Sequence, residues 1–250
     1  MLAGSQSGFG QDMKEQYVGD ISDYRKYALL RALSSAGEVR IGVCWMLTPP
    51  DGSSDGSKLA YLTQPDRYRA HDPELFDLLA SAASEPDQRR LLTIEGSGVI
   101  PDARYFNAMI PDAATERAAV IAECQRQFVD CDLVFFDPDN GLETPSLPKG
   151  RKNSSKFVYL DELAAFYAAG HSLLVYQHFP RVERSVFIER CAAAMRGIAP
   201  KAQHWSYRTK HVVFLAAINP ASGPVAAAAA HRAASAWHPD FIAGASLLAE

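Results

Sequence analysis

Short apolar segments alternate with amphipathic segments along most of the chain. The clearest apolar runs are VRIGVCWML, CDLVFFD, HSLLVYQHF and HVVFLAAIN. Such uninterrupted runs are typical of strands that are covered on both faces. Between them, segments such as 20–36 and 112–130 place apolar residues at helical spacing. The alternation predicts an α/β fold, in which helices cover both faces of a mostly parallel central sheet.

Residues with known capping preferences mark the ends of two predicted helices. Asp20 or Ser22 can cap the helix over 20–36, and Gly37 can end it. The Asp-Pro pair at 72–73 predicts the start of a second helix, because aspartate caps well and proline is favoured at the first helical position.

The remaining segments complete the sheet and the domain. RRLLTIEG predicts a short strand that ends at Glu95, and RYFNAMI predicts another. AQHWSYRT and the apolar run after it predict an antiparallel C-terminal edge. Since no linker marks a boundary, we expect one domain over residues 1–250. Its core covers 17–220, with a helical insertion at 48–90 and an Ala-rich C-terminal helix at 221–250.

Composition limits the kinds of partner and of cellular compartment that we expect for this protein. The net charge of -4 and pI of about 6.0 exclude a strongly basic protein, so contact with nucleic acid requires a local patch. The 4 cysteines form no CxxC pair, which predicts free buried thiols and a reducing, cytoplasmic compartment. No apolar run reaches the ~20 residues of a membrane helix, and the N-terminus lacks a signal-peptide pattern. We therefore expect a soluble protein without a membrane partner; the oligomeric state stays open.

Polar residues follow directly after the apolar run LVFF, in the order Asp137, Pro138, Asp139 and Asn140. Ligands of open α/β sheets bind outside the carboxyl ends of the strands, which predicts a site at this position. The alternative is a plain turn, because Asp, Pro, Asn and Gly are common turn residues.

Two motifs carry a resemblance to a known family. Residues 131–140 resemble the Asp-Pro-Pro-Tyr strand end of amino-group methyltransferases that use S-adenosylmethionine, with Asp139 and Asn140 at the last two positions. The segment GDISDYRKYALL (19–30) is similar to the Gly-Asn-x-Ala-Asp-x-x-Lys-His-x-x-Leu opening of bacterial adenine-N6 methyltransferases of large-subunit ribosomal RNA. The resemblance implies a class I methyltransferase-like (Rossmann-like) sheet. It also implies methyl transfer to an amine, with adenine N6 in nucleic acid as a candidate.

The resemblance also assigns roles in the catalytic loop. The Asp137 carboxylate and the Pro138 carbonyl would hold the amine hydrogens, and Asp139 and Asn140 complete the loop. Asn140 lacks the aromatic ring that stacks on the target base in the family. Three explanations stay open: the substrate is not a nucleobase, the activity differs, or a different aromatic replaces that ring, with Tyr105, Phe106 and Phe179 as candidates.

Cofactor-binding roles follow from the same resemblance. The residues concerned are Asp23, Lys26, Trp45, Thr48 and Glu95. Glu95 would bond the ribose hydroxyls, and its alternative is a solvated turn carboxylate. Lys26 and Asp23 are spaced as an i, i+3 pair, which on its own indicates a surface ion pair. The Gly-rich cofactor turn of the family is replaced by TPPDGSSDG, where only Gly52 and Gly56 could serve.

Further candidates lie on two segments that follow strands. The basic loop PKGRKNSSK could contact nucleic-acid phosphates through Lys149, Arg151 and Lys152, although basic loops are usually only solvated. After the run SLLV, the residues Gln177, His178 and Arg181 would open at the same edge as Asp137. His178 could act as a base, and its alternative is a structural histidine.

A rival hypothesis needs no resemblance. Asp137, Asp139 and His178, together with Glu143, could hold Mg²⁺ or Mn²⁺, which would indicate a metal-dependent phosphodiesterase or nuclease. A third possibility is an inactive protein with the methyltransferase fold that binds a partner.

Overall fold

The computed structural model describes residues 19–49, 58–85 and 90–247. The strands are β1 Ile41–Cys44, β2 Arg104–Phe106, β3 Leu133–Phe136, β4 Gly141–Leu142, β5 Phe157–Val158, β6 Ser172–His178, β7 Gln203–Arg208, β8 Val212–Ile218 and β9 Ala243–Ser246. The α-helices are α1 Ile21–Ser34, α2 Pro65–Tyr68, α3 Pro73–Ser84, α4 Leu91–Ser97, α5 Ala114–Gln127, α6 Leu160–Ala168, α7 Arg184–Ile198 and α8 Gly223–Ala234. The Gly52 and Gly56 turn lies outside the described residues.

A seven-stranded mixed sheet forms the centre, in the order β2-β1-β3-β6-β8-β7-β9. The neighbours from β2 to β6 are parallel, whereas β8, β7 and β9 pair antiparallel. The predicted α/β sheet is therefore confirmed, with fewer parallel pairs than expected. The predicted pairing of β7 with β8 is also confirmed, but β8 lies inside the sheet and β9 forms the edge.

Helices cover both faces of the sheet because successive strand residues point to opposite sides. On one face, Val43, Phe135 and Tyr176 join a buried cluster with residues of α1, α3 and α8. On the other face, Phe136 and Val175 join residues of α5, α6 and α7. This double cover explains why the strands have uninterrupted apolar sequences.

Three elements differ from the sequence predictions. Glu95 lies in the helix α4 rather than at the end of a strand. The predicted C-terminal helix over 221–250 is wrong in its second half, since α8 ends at Ala234 and the chain then forms β9. α1 ends three residues before Gly37, and its left-handed cap residue is Ser35.

Other predictions are confirmed. Asp20 caps α1 and Asp72 caps α3, each through a side chain that accepts backbone N–H groups. The 4 cysteines are buried free thiols. Within the described ranges, no helix has the length and apolar character needed to cross a membrane.

The strand order places a topological switch between β1 and β3. The connection from β1 leads to β2 on one side, and that from β3 leads to β6 on the other. Cys44 is the register partner of Phe136, so the two chains leave the sheet side by side. Open α/β sheets bind their ligands at such a point.

Candidate functional site at the carboxyl ends of β1 and β3

Asp137 leaves β3 at the switch point. Its backbone N–H donates to the Cys44 carbonyl at 3.0 Å, which continues the ladder by one residue. Its side chain is buried, and Oδ2 accepts a hydrogen bond from Lys26 Nζ at 2.9 Å. The predicted delivery of this carboxylate to the end of the sheet agrees with its position, but its neighbour is a cation of α1 rather than bulk water.

Lys26 connects two carboxylates. Its Nζ lies 2.9 Å from Asp23 Oδ1 and 2.9 Å from Asp137 Oδ2, and all three side chains are buried. The Tyr176 ring centre lies 5.3 Å from the same Nζ. Burial alone would lower the pKa of Lys26, but Asp137 and Asp23 outweigh it and raise that pKa above its usual value. The ammonium is therefore charged, and the surface-pair interpretation of Lys26 and Asp23 is wrong.

Asp23 is the carboxylate most affected by burial. Its Oδ2 accepts from Tyr27 Oη at 3.1 Å and from the Gly19 N–H at 3.2 Å. Burial raises the pKa of Asp23 to about 6, although Lys26 opposes the increase. Among the described residues, the Lys26 ammonium thus lies between the carboxylates of Asp23 and Asp137 and joins α1 to the loop after β3.

A second contact joins the two strand ends. The buried Thr48, four residues after β1, donates from Oγ1 to Asp139 Oδ2 at 2.7 Å. Asn140 is exposed, and its backbone N–H donates to the Lys156 carbonyl at 2.9 Å. The Asp-Pro-Asp-Asn loop is thus held by side-chain contacts from α1 and from the segment after β1.

Gln177 supports the loop from the neighbouring strand. Its Oε1 accepts from the Leu142 N–H at 2.8 Å, and its Nε2 donates to the Asn140 carbonyl at 3.0 Å. Gly141 has a φ of +97°, and a Cβ there would collide with the Gln177 amide. Because both polar atoms of this amide hold backbone groups, Gln177 shapes the loop; the structure gives no sign that it faces a substrate.

His178 and Arg181 lie on the far side of the site, at the end of β6. His178 is exposed, and its Nε2 lies 3.0 Å from the hydroxyl of Tyr176, whose ring faces Lys26. Arg181 is exposed on the loop before α7. Both therefore open at the same end of the sheet as Asp137, as predicted.

Glu95 reaches the end of β1 from a helix. Its Oε1 accepts from Trp45 Nε1 at 2.8 Å, and the Trp45 ring stacks on Tyr105 with 5.9 Å between ring centres. The Tyr105 hydroxyl is buried and has no hydrogen-bond partner among the described residues. The strand-end argument for Glu95 is wrong, but its carboxylate still lies beside the first residue after β1.

The basic loop is folded against the protein. Lys149 Nζ pairs with Asp161 at 2.6 Å and lies 3.4 Å from Glu162. Asp112 accepts from the backbone of residues 153–155 at the end of the loop. Arg151 and Lys152 are exposed. These ion pairs leave Lys149 poorly placed to contact phosphates.

The three aromatic candidates differ in placement. Tyr105 stacks on Trp45, Phe106 is buried in the second core cluster, and Phe179 packs partly exposed against Phe187. None of these contacts places a ring against Asn140.

Among the described residues, no group of three or more His, Cys, Asp or Glu side chains is arranged to hold a metal ion.

Sequence reasoning missed two tyrosines that contact the cluster of Asp23, Lys26 and Asp137. Tyr27 bonds Asp23 and Tyr176 faces Lys26. Tyr27 lies within the segment 19–30, and Tyr176 lies within the apolar run HSLLVYQHF. A tyrosine at the end of a buried strand, next to polar residues, was the available signal.

No protein-family model matches the chain, and neither the curated proteins nor the solved structures contain a significant match.

Proposed function

We propose that this chain is a methyltransferase that transfers a methyl group from S-adenosylmethionine to an amine, with adenine N6 in nucleic acid as the candidate acceptor. The observation that carries the proposal is the 2.9 Å contact between Lys26 and Asp137. These residues belong to the two motifs that resemble the methyltransferases, and 111 positions separate them. Two motifs that meet in one buried cluster at a topological switch behave as parts of one site.

The residues at the end of β1 fit an adenosyl cofactor. Tyr105 offers a buried hydroxyl without a partner among the described residues, and Glu95 offers a carboxylate beside the Trp45 indole. Hydroxyls of a ribose are suitable partners for both groups. When bound, the cofactor would supply an electrophilic methyl group on a sulfonium.

Asp137 would position the acceptor. An exocyclic amine is a weak nucleophile because its lone pair conjugates with the ring, and hydrogen bonds from its hydrogens to Asp137 and the Pro138 carbonyl draw the lone pair out of that conjugation. Lys26 holds Oδ2 of Asp137 and thereby fixes the plane of the carboxylate. Positioning of this kind contributes several kcal/mol in general.

Cofactor binding tests the proposal directly. Calorimetry with S-adenosylhomocysteine should show binding to the wild-type protein, and Glu95→Gln should weaken it at least about tenfold, since one charged hydrogen-bond acceptor contributes ~1.5–3 kcal/mol. Asp137→Asn should retain binding but lose methyl transfer. Asp132→Asn is the control, because Asp132 precedes the opposite end of β3 and accepts from the Arg40 N–H.

Two outcomes would replace the proposal. No binding of S-adenosylhomocysteine by the folded wild-type protein would leave an inactive binding protein. A rise in melting temperature with Mg²⁺ or Mn²⁺ that Asp137→Asn and Asp139→Asn both abolish would favour the phosphodiesterase hypothesis.

A further inference from the structure

Exposed cations gather around the end of β6 and the β7–β8 turn. The loop after β6 is joined to the turn by the Phe179 N–H, which donates to the His211 carbonyl at 3.1 Å. His178 is the register partner of Val212, so the histidines at 178 and 211 lie on adjoining parts of this surface. The surface, called the strand-end patch below, consists of Lys58, His178, Phe179, Arg181, Arg184, Arg208, Lys210 and His211.

Contacts and charge effects show that the patch is continuous. The Arg184 guanidinium lies 5.3 Å from the centre of the Phe179 ring. Burial lowers the pKa of His211, and positive charges lower it further. Those charges belong to Lys58, Lys210, Arg25 and Arg184. Lys58 exerts the largest of these charge effects on His211, and its backbone carbonyl accepts from the Ile21 N–H at the start of α1 at 3.3 Å.

The cations of the patch lack carboxylate partners. Among the described residues, no ion pair involves Lys58, Arg181, Arg184, Arg208 or Lys210. The acidic residue within the loop is Glu183, whose carboxylate is engaged as the cap of α7 by the N–H groups of Ser185 and Val186. In a chain of net charge -4, such a concentration of unpaired positive charge is a local departure from the average.

The basic loop PKGRKNSSK differs from the strand-end patch because one of its cations is paired. Its Lys149 is paired with Asp161, and its backbone is held by Asp112. The two surfaces also differ in their relation to the site. His178 Nε2 lies 3.0 Å from the Tyr176 hydroxyl, and the Tyr176 ring lies 5.3 Å from Lys26 Nζ, so the strand-end patch borders the candidate site.

We propose that the strand-end patch binds the phosphate backbone of a single-stranded nucleic acid and leads one of its bases toward Asp137. The proposal rests on the proposed function only in naming that strand as the methyl acceptor. Unpaired Arg and Lys side chains bind phosphates by releasing counterions. Phe179 is half-buried, and the exposed Val182 and Val186 follow it three and seven residues later. Partly exposed apolar side chains among cations suit a single strand, whose phosphates carry the charge and whose unpaired bases present flat apolar faces.

Fluorescence anisotropy with a labelled single-stranded RNA of mixed sequence tests the proposal on the full chain. Arg184→Gln/Lys210→Gln should weaken binding about tenfold or more at low salt. It should also reduce the slope of log K against log salt by about 1.4, at ~0.7 per lost phosphate contact for a single strand. Arg151→Gln/Lys152→Gln removes the same charge from the basic loop, and Lys201→Gln/Arg232→Gln removes it from exposed positions elsewhere. Both control variants should bind as the wild type does.

Several results would overturn the inference. These are absence of RNA binding by the wild-type protein, an effect of equal size in all three double variants, or a loss confined to the Arg151 and Lys152 variant. Equal affinity for polyglutamate of similar length would also overturn it, because the patch would then bind any polyanion. Calorimetry with S-adenosylhomocysteine on the same variants separates the two proposals: the patch variant should retain cofactor affinity, so failure of RNA binding leaves the methyltransferase proposal untouched.

Discussion

Two buried clusters of cations and carboxylates flank the loop after β3, and they are built differently. In one, Arg117 places Nε 2.6 Å from Glu162 Oε1, and its other nitrogens donate to the Ser154 and Phe157 carbonyls. In the other, Lys26 lies between Asp23 and Asp137. Both cations are buried, but Arg117 bonds one carboxylate through two nitrogens, whereas Lys26 bonds two carboxylates through one.

The difference follows from the two cationic groups. A guanidinium is a planar fork that bonds one carboxylate with two nitrogens and still has donors for carbonyls. Arg117 uses that fork to hold the loop before α6 in place. An ammonium is a point charge with donors in three directions, so Lys26 can join two separate elements. The first cluster holds a loop in place, and the second joins α1 to the loop after β3 at the candidate site.

The largest loss of stability is expected when the Arg117 guanidinium is removed. Arg117→Met should lower the free energy of unfolding by about 3–5 kcal/mol, because the buried Glu162 loses its closest cation and keeps only the more distant Lys149. Urea denaturation measures the loss. Arg117→Met/Glu162→Leu should recover much of it, since both charges are then gone. A loss below ~1 kcal/mol for the single variant would contradict the structural role.

Removal of the ammonium should cost less. Lys26→Met leaves two buried carboxylates, but protonation of Asp23 can relieve them. We expect a loss of about 2–4 kcal/mol at pH 8 and a smaller loss at pH 5. Urea denaturation at both pH values checks this, with the exposed Lys201→Met as control. The same loss at both pH values would show that Asp23 does not titrate as described.

Asp23 should make the stability of the wild-type protein depend on pH. Its folded pKa of about 6 exceeds the unfolded value of 3.8, so between these values the folded state holds a proton that the unfolded state has lost. This contribution to the free energy of unfolding is about 3 kcal/mol at most. It is fully present below pH 3.8 and is lost as pH rises through 6. The difference in unfolding free energy between wild type and Asp23→Asn, measured from pH 4 to 7, should follow that course. A constant difference would contradict it.

The smallest effect concerns the contact between the strand ends. Thr48→Val removes one hydrogen bond to Asp139 and should cost about 1 kcal/mol. Thermal unfolding measures it against Thr63→Val, whose hydroxyl donates to an exposed backbone carbonyl. An effect no larger than that of the control would show that this contact does not hold the loop.

Segments whose local pattern was strong were predicted well. The apolar runs became β1, β3, β6 and β8, and Asp20 and Asp72 cap helices, because such signals depend on neighbours in the sequence. The strand predicted to end at Glu95 is a helix instead. Its short apolar run of Leu91, Leu92 and Ile94 fits a strand or a helix equally well. Ile94 packs in the core and Glu95 bonds Trp45, so tertiary contacts decided for a helix.

The strand β9 carried no signal at all. Its sequence AGAS is neither apolar nor β-branched, and it pairs because β7 would otherwise present an open edge. Gly244 allows it to pass close to the end of α8, where a Cβ would collide with the backbone of Ala234. Close packing of this kind depends on distant parts of the chain.

The sequence by itself determined the α/β class, the polar residues after LVFF and the motif around Lys26, since each depends on residues within about a dozen positions. Only the tertiary structure decided that Lys26 reaches Asp137 and that Lys149 is paired. It also decided that cations without an ion pair to any described residue gather near His211. The physical reason is that charges interact through space. A sheet brings together strand ends that lie far apart in sequence, and which carboxylate meets which cation depends on strand order rather than on spacing along the chain.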